Sequence, residues 1–185
     1  IQEHDHEKHH EEENQNEDEE HHEEGLDPHI WLDPNLVKIQ ARNAYDYLVG
    51  IDNINKAFYL KNYKIFLDEL DSLDSDLEKL LVGVKGKSFM VFHPSWGYFA
   101  KRYGLNQIVV EKEGKTPKLK EVVELIEEAK EHNIKAIFVS AQFSQKSART
   151  IAKSINGSTI IVDHLSYNYR ENLINMAKQI TNSYK

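Results

Sequence analysis

The stretch SFMVFHPSWGYFAKRY, residues 88–103, decides the fold. Residues 88–92 form a short, continuous, mostly apolar run. Such a run suits a strand buried on both faces. Pro94 stops it, and residues 96–103 read as a helix. His93 is left at the carboxyl end of the strand. Three runs of the same kind follow, at 107–110 (QIVV), 136–139 (AIFV) and 159–162 (TIIV). Helical stretches separate or follow them at 118–132, 144–155 and 169–184, and Gly157 marks the end of the middle one. Alternating strand and helix predicts an α/β fold with a doubly wound, four-stranded parallel sheet.

Upstream the pattern is purely helical. Asp33 and Pro34 read as N-cap and first helical residue, and a helix is expected over 35–49 with a stop near Gly50. A second helix is expected over 53–82. Its Phe66, Leu70, Leu73, Leu77 and Leu80 form one apolar stripe. About 30 residues make a rod of about 45 Å, long enough to act as a strut.

The first 24 residues have a different texture. They hold twelve of the 31 acidic and one of the 23 basic side chains, so this tail carries −11 and the remainder +3. With almost no apolar residues the tail cannot offset its ordering entropy and is expected to be disordered. His4, His6, His9, His10, His21 and His22 are interleaved with its carboxylates. Imidazole with carboxylate is a natural ligand set for zinc and neighbouring metals. The alternative is a solubilising acidic linker.

Other classes are constrained by composition. There is no cysteine, which excludes disulfides, thiolate zinc sites and cysteine nucleophiles. An acidic tail and a body without a long basic stripe argue against nucleic acid as a partner. No apolar run is long enough to span a bilayer. The chain opens with Ile inside low-complexity sequence, reads as a fragment or processed product, and shows no signal peptide.

Ligands of doubly wound sheets bind at the carboxyl ends of the strands. The first strand leads into His93 and the fourth into Asp163 and then His164. His29 stands on a short turn, DPHIWLDP, just before a helix. Each has an ordinary structural reading as a backbone partner or helix cap. Together His29, His93 and Asp163 make a plausible N and O ligand set for zinc.

The motifs DPHIWLDP (27–34), VFHPSWGYFAKRYGL (91–105), EGKTPK (113–118) and AQFSQKSARTIAKSI (141–155), with the strand that ends in Asp163, resemble those of one family. It is the metal-binding solute-binding proteins of ABC importers, in the zinc/manganese branch that also includes cell-adhesion-like lipoproteins. The resemblance covers residues 26–185. It implies two α/β lobes joined by a helical spine, with the metal between the lobes. Residues 1–25 would be a His- and acid-rich loop, 26–52 a remnant of the N-terminal lobe, 53–82 the spine, and 83–185 the C-terminal metal-binding lobe.

The resemblance further implies that His29, His93 and Asp163 are metal ligands, with histidine at 93 favouring zinc over manganese. The tail then resembles a zinc-collecting loop. The implied function is extracytoplasmic, high-affinity zinc capture and delivery to a membrane permease. The location would be periplasmic or on the extracellular membrane face, with a lipid anchor left open. The family's first histidine, in the N-terminal lobe, has no counterpart here. His29, short of that lobe's packing, is therefore expected to be displaced. His164, where relatives often carry a small residue or proline, reads as an extra ligand, a group beside the ligands, or an exposed side chain. The competing classes are a zinc-dependent hydrolase, with Glu111 or Glu113 as general base, and a soluble zinc buffer acting through the tail. No HExxH-type motif supports the hydrolase, so the expectation is a protein that is not an enzyme.

Overall fold

The computed structural model describes residues 26–111, 114–140, 142 and 145–185. A 3-10 turn at Ile30–Leu32 leads into α1 (Pro34–Ile51). The start of α1 follows the expected chemistry. The Asp33 carboxylate accepts from the Asn35 N–H at 2.8 Å, and Pro34 occupies the first turn, where no donor is needed. α2 (Lys56–Leu81) has 26 residues, about 39 Å of helix. It is shorter than the sequence suggests because both ends tighten into 3-10 turns, Asn53–Asn55 and Val82–Val84. α1 and α2 pack on each other, with Tyr45 and Tyr63 stacked at 5.0 Å between ring centroids.

The remaining elements alternate. β1 (Ser88–Val91) is followed by α3 (Gly97–Tyr103), β2 (Asn106–Val109), α4 (Leu119–Glu131), β3 (Ala136–Ser140), α5 (Lys146–Ser154), β4 (Ser158–Val162) and α6 (Tyr169–Asn182). The strands form one parallel sheet in the order β2-β1-β3-β4. This is the doubly wound, four-stranded sheet expected from the apolar runs. β1 and β3 are neighbours, but the chain leaves them toward opposite edges of the sheet. A crevice opens at the carboxyl ends where such a reversal occurs.

Period-two alternation divides the core into two layers. Phe89, Val91 and Phe138 meet Leu73, Leu77 and Leu81 of α2, together with side chains of α3 and α6. Met90, Ile137 and Val139 meet Ala148, Ile151 and Ala152 of α5, together with Ala129 of α4. All of these are almost fully buried, as continuous apolar strands require. Where β4 starts, Gly157 lets the chain pass close to its neighbour. A Cβ there would stand 2.6 Å from the Lys135 carbonyl oxygen.

A polar clamp ties α2 to α3. Asp74, buried in α2, accepts from Arg102 Nε at 3.1 Å and from the Tyr103 hydroxyl at 2.9 Å, and also from Arg102 Nη2. Burial pushes the Asp74 carboxyl up, but the Arg102 and Tyr103 hydrogen bonds and the guanidinium charge outweigh it. The net shift is below the ordinary carboxylate value. Burial, and then the bond to Asp74, raise the Tyr103 phenol.

Candidate metal centre

His29 opens the 3-10 turn, and two anchors hold that turn. Leu32, at its end, is 1% exposed and sits in the same core layer as Leu73 and Trp96. Trp31 Nε1 donates to the backbone carbonyl of His164 at 2.9 Å, across the full depth of the sequence. His29 is therefore buried and in place. The sequence leads one to expect a displaced or mobile His29; the structure places it beside His93, because the turn packs on α3 and bonds to the loop after β4.

His93 follows β1 by way of Phe92, whose N–H donates to the Phe138 carbonyl. Pro94 then turns the chain toward α3. His164 follows β4 and is buried. The three rings meet at the carboxyl edge of the sheet. Centroid separations are 5.2 Å for His29 and His93, 5.7 Å for His29 and His164, and 5.6 Å for His93 and His164. One ligand nitrogen from each lies within 4.8 Å of the other two. Tetrahedral zinc with nitrogen at about 2.1 Å separates its ligands by about 3.4 Å. Donor atoms within 4.8 Å of one another are at most about 1.4 Å wider apart than that spacing.

Asp163 does not join the trio. It is half-buried, and its carboxylate accepts from the Leu165 N–H at 3.0 Å in a local turn. The residue beside it, His164, is the one that points inward. Burial lowers the His164 pKa, and the neighbouring His93 and His29 rings lower it further, while the Asp163 charge opposes them. A ring held neutral in this way is ready to ligate without first losing a proton.

Three oxygens lie behind the rings. Asp27 Oδ1 is 2.7 Å from His29 Nδ1, Glu111 Oε1 is 2.6 Å from His93 Nδ1, and Ser140 Oγ is 3.0 Å from His164 Nδ1. None of the three was assigned to the site from the sequence. Glu111 was noted only as a strand-end acid suited to a hydrolase. The tail residues His4, His6, His9, His10, His21 and His22, and Glu113, lie outside the described residues.

The whole chain, residues 1–185, matches the family model described as zinc-uptake complex component A, periplasmic. The high-affinity zinc uptake system protein ZnuA of Bacillus subtilis (strain 168) is 34% identical over 142 residues, which is 76% of this chain and 44% of that protein. A crystal structure of ZnuA superposes with a TM-score of 0.84 at 41% identity, covering 86% of this chain and 62% of that one. A zinc-bound deletion mutant of ZnuA gives 0.80 at 41% identity, covering 85% and 60%. This chain thus spans about half the length of the relatives it matches. By the family model that matches residues 1–185 and by its identity to ZnuA, the chain belongs to the zinc-uptake complex component A family.

Proposed function

We propose that this chain is the zinc-capturing part of the solute-binding component of an ABC importer, and that the ion is its cargo. The observation that carries this is the trio His29, His93 and His164, gathered from an upstream turn and two strand ends. Three neutral nitrogen donors favour zinc over manganese and over hard cations that prefer oxygen. Asp163, the carboxylate that the family resemblance implies as a ligand, stands next to His164 with one oxygen accepting from the Leu165 N–H. Capture follows from the convergence of the rings, whose donor atoms stand within 4.8 Å of one another, so a small adjustment would close them on an ion. Release to a permease would reverse it.

Two further points support the reading. A relative named above is a high-affinity zinc uptake system protein, and of the two acids that a hydrolase could use as general base only Glu111 lies among the described residues. The carboxylate best placed for that role, Glu111, is engaged with His93. Secondly, α1 and α2 carry an exposed apolar row that includes Ile39, Tyr47, Ile51 and Phe58. Large exposed apolar surface marks an interaction face. The remainder of a two-lobed binding protein is its fitting cover, and that remainder would supply any further ligand. The protein would then work outside the cytoplasm, as its family does, and hand zinc to a membrane permease.

The test is competition dialysis of the chain with the six tail histidines replaced by serine. Zinc should bind with one-to-one stoichiometry and displace manganese. His29→Ala and His93→Ala should each abolish that binding. Manganese preference, or unchanged zinc affinity in both variants, would refute the reading.

A further inference from the structure

The oxygens behind the three rings are not equivalent. An ionised carboxylate can only accept a hydrogen bond. The hydrogen on His29 and on His93 therefore sits on Nδ1, facing Asp27 and Glu111, and Nε2 carries the ligating lone pair. A serine hydroxyl can donate or accept, so Ser140 orients His164 without dictating its tautomer. Glu111 sits just past β2, buried, with its side chain 5% exposed. Its backbone N–H continues the sheet by donating to the Phe92 carbonyl at 3.0 Å. Asp27 is fixed twice by one oxygen, which accepts from His29 Nδ1 and from the His29 backbone N–H at 2.9 Å. Its other oxygen lies against α3, where a Cβ on Gly97 would be 3.1 Å away.

Charge gives this arrangement a purpose. A divalent ion held by three neutral imidazoles keeps its full charge in a partly desolvated place, which is unfavourable. Two carboxylates one ring away bring the assembly to neutrality. They also fix the orientation of the rings they hold, as carboxylate partners of ligating histidines do.

We propose that Asp27 and Glu111 are positioning residues of the metal centre: each fixes the tautomer that turns Nε2 toward the ion, and together they offset its charge through the rings, whereas Ser140 only orients His164. This rests on the three-histidine site proposed above. It adds residues that touch no ion yet set how tightly the ion is held.

The experiment measures zinc affinity by chelator competition, again in full-length chain lacking the tail histidines. The variants are Glu111→Gln, Asp27→Asn, Ser140→Ala and His93→Ala. Glutamine keeps the shape and an acceptor oxygen, so it isolates the charge. Glu111→Gln and Asp27→Asn should each weaken zinc about 10- to 100-fold. Ser140→Ala should lose no more than about fivefold, the size of one neutral hydrogen bond. The zinc-free melting temperature checks folding. If Glu111→Gln fails to fold, Asp27→Asn on the upstream turn still decides.

A second readout is the side-chain 15N spectrum of the zinc-free protein. It should show Nδ1–H at His93 and a shift toward Nε2–H in Glu111→Ala, which a purely structural role would not produce. Wild-type affinity in both amide variants, with His93→Ala inactive, would overturn the proposal and leave the site standing. Wild-type affinity in His93→Ala would bring down the site itself.

Discussion

Asp27 lies between His29 and the start of α3, and Gly97 makes room for it. Gly97→Ala would push the carboxylate by a few tenths of an ångström. A productive site holds its groups to within about 0.5 Å, so a shift approaching that size is felt. A loss of up to about tenfold in zinc affinity is expected, with the melting temperature of the zinc-free protein nearly unchanged. Isothermal titration of the variant measures it, and an unchanged affinity would show that Asp27 has slack. Acid should act on the rings directly. Zinc ligation needs neutral imidazole, whose ordinary pKa is about 6.5. Affinity is therefore present at neutral pH and lost as pH falls below about 6. His164, with its pKa lowered by burial, is held neutral further into acid than an ordinary imidazole. Binding curves at three pH values between neutral and mildly acid test this, and a flat profile would remove imidazole from the ligand set. At this scale the sequence marked His29 and His93 plainly, one by its motif and one by its strand end. It pointed to Asp163 as the third ligand and to His164 only as a group beside the ligands, whereas the structure brings the His164 ring to the other two. Neighbours at a strand end point in opposite directions, and one residue in where the strand stops reverses the choice. Glu111 was out of reach for another reason. Its partnership with His93 exists only because β1 and β2 are adjacent, and strand order is not written in either strand.

The link between α2 and α3 shows how one buried carboxylate organises two helices. Asp74→Asn removes the charge that Arg102 and Tyr103 converge on. A loss of about 2 kcal/mol is expected, the size of a hydrogen bond to a charged group. Because the Asp74 pKa is lowered in the folded protein, its contribution is complete above the ordinary carboxylate value of about 3.9. It is lost as pH falls through the lower folded value. Chemical denaturation of wild type and variant at pH 7 and near pH 3 should show a gap that narrows in acid. A gap of constant size would mean the pair is not what Asp74 contributes. The elements themselves were legible because each carries a strong local signal. The four apolar runs, the Asp-Pro cap and the leucine stripe of α2 all match the elements found. The ends of α2 were not, since a 3-10 turn and an α-helical turn have nearly the same sequence pattern.

Across the whole sequence, acids and histidines concentrate in residues 1–24, while three further histidine rings meet among the described residues. The tail's six histidines and twelve acids should take up more than one zinc ion, weakly and without a single defined arrangement. Calorimetry on a peptide of residues 1–24 tests this, and the absence of zinc heat would return the segment to an acidic linker. In the body, the trio joins segments more than 130 residues apart in sequence, so an ion bound there also fastens the fold. The Trp31 indole bears on how quickly it can leave. Its N–H reaches the carbonyl of His164 from the turn that carries His29. Two of the three rings are therefore fastened at opposite ends of one hydrogen bond, and they cannot part widely while it lasts. If the ion leaves by parting these rings, its departure would await the breathing of this contact together with the packing of Leu32. Solvent exchange of that one indole proton would serve as the clock.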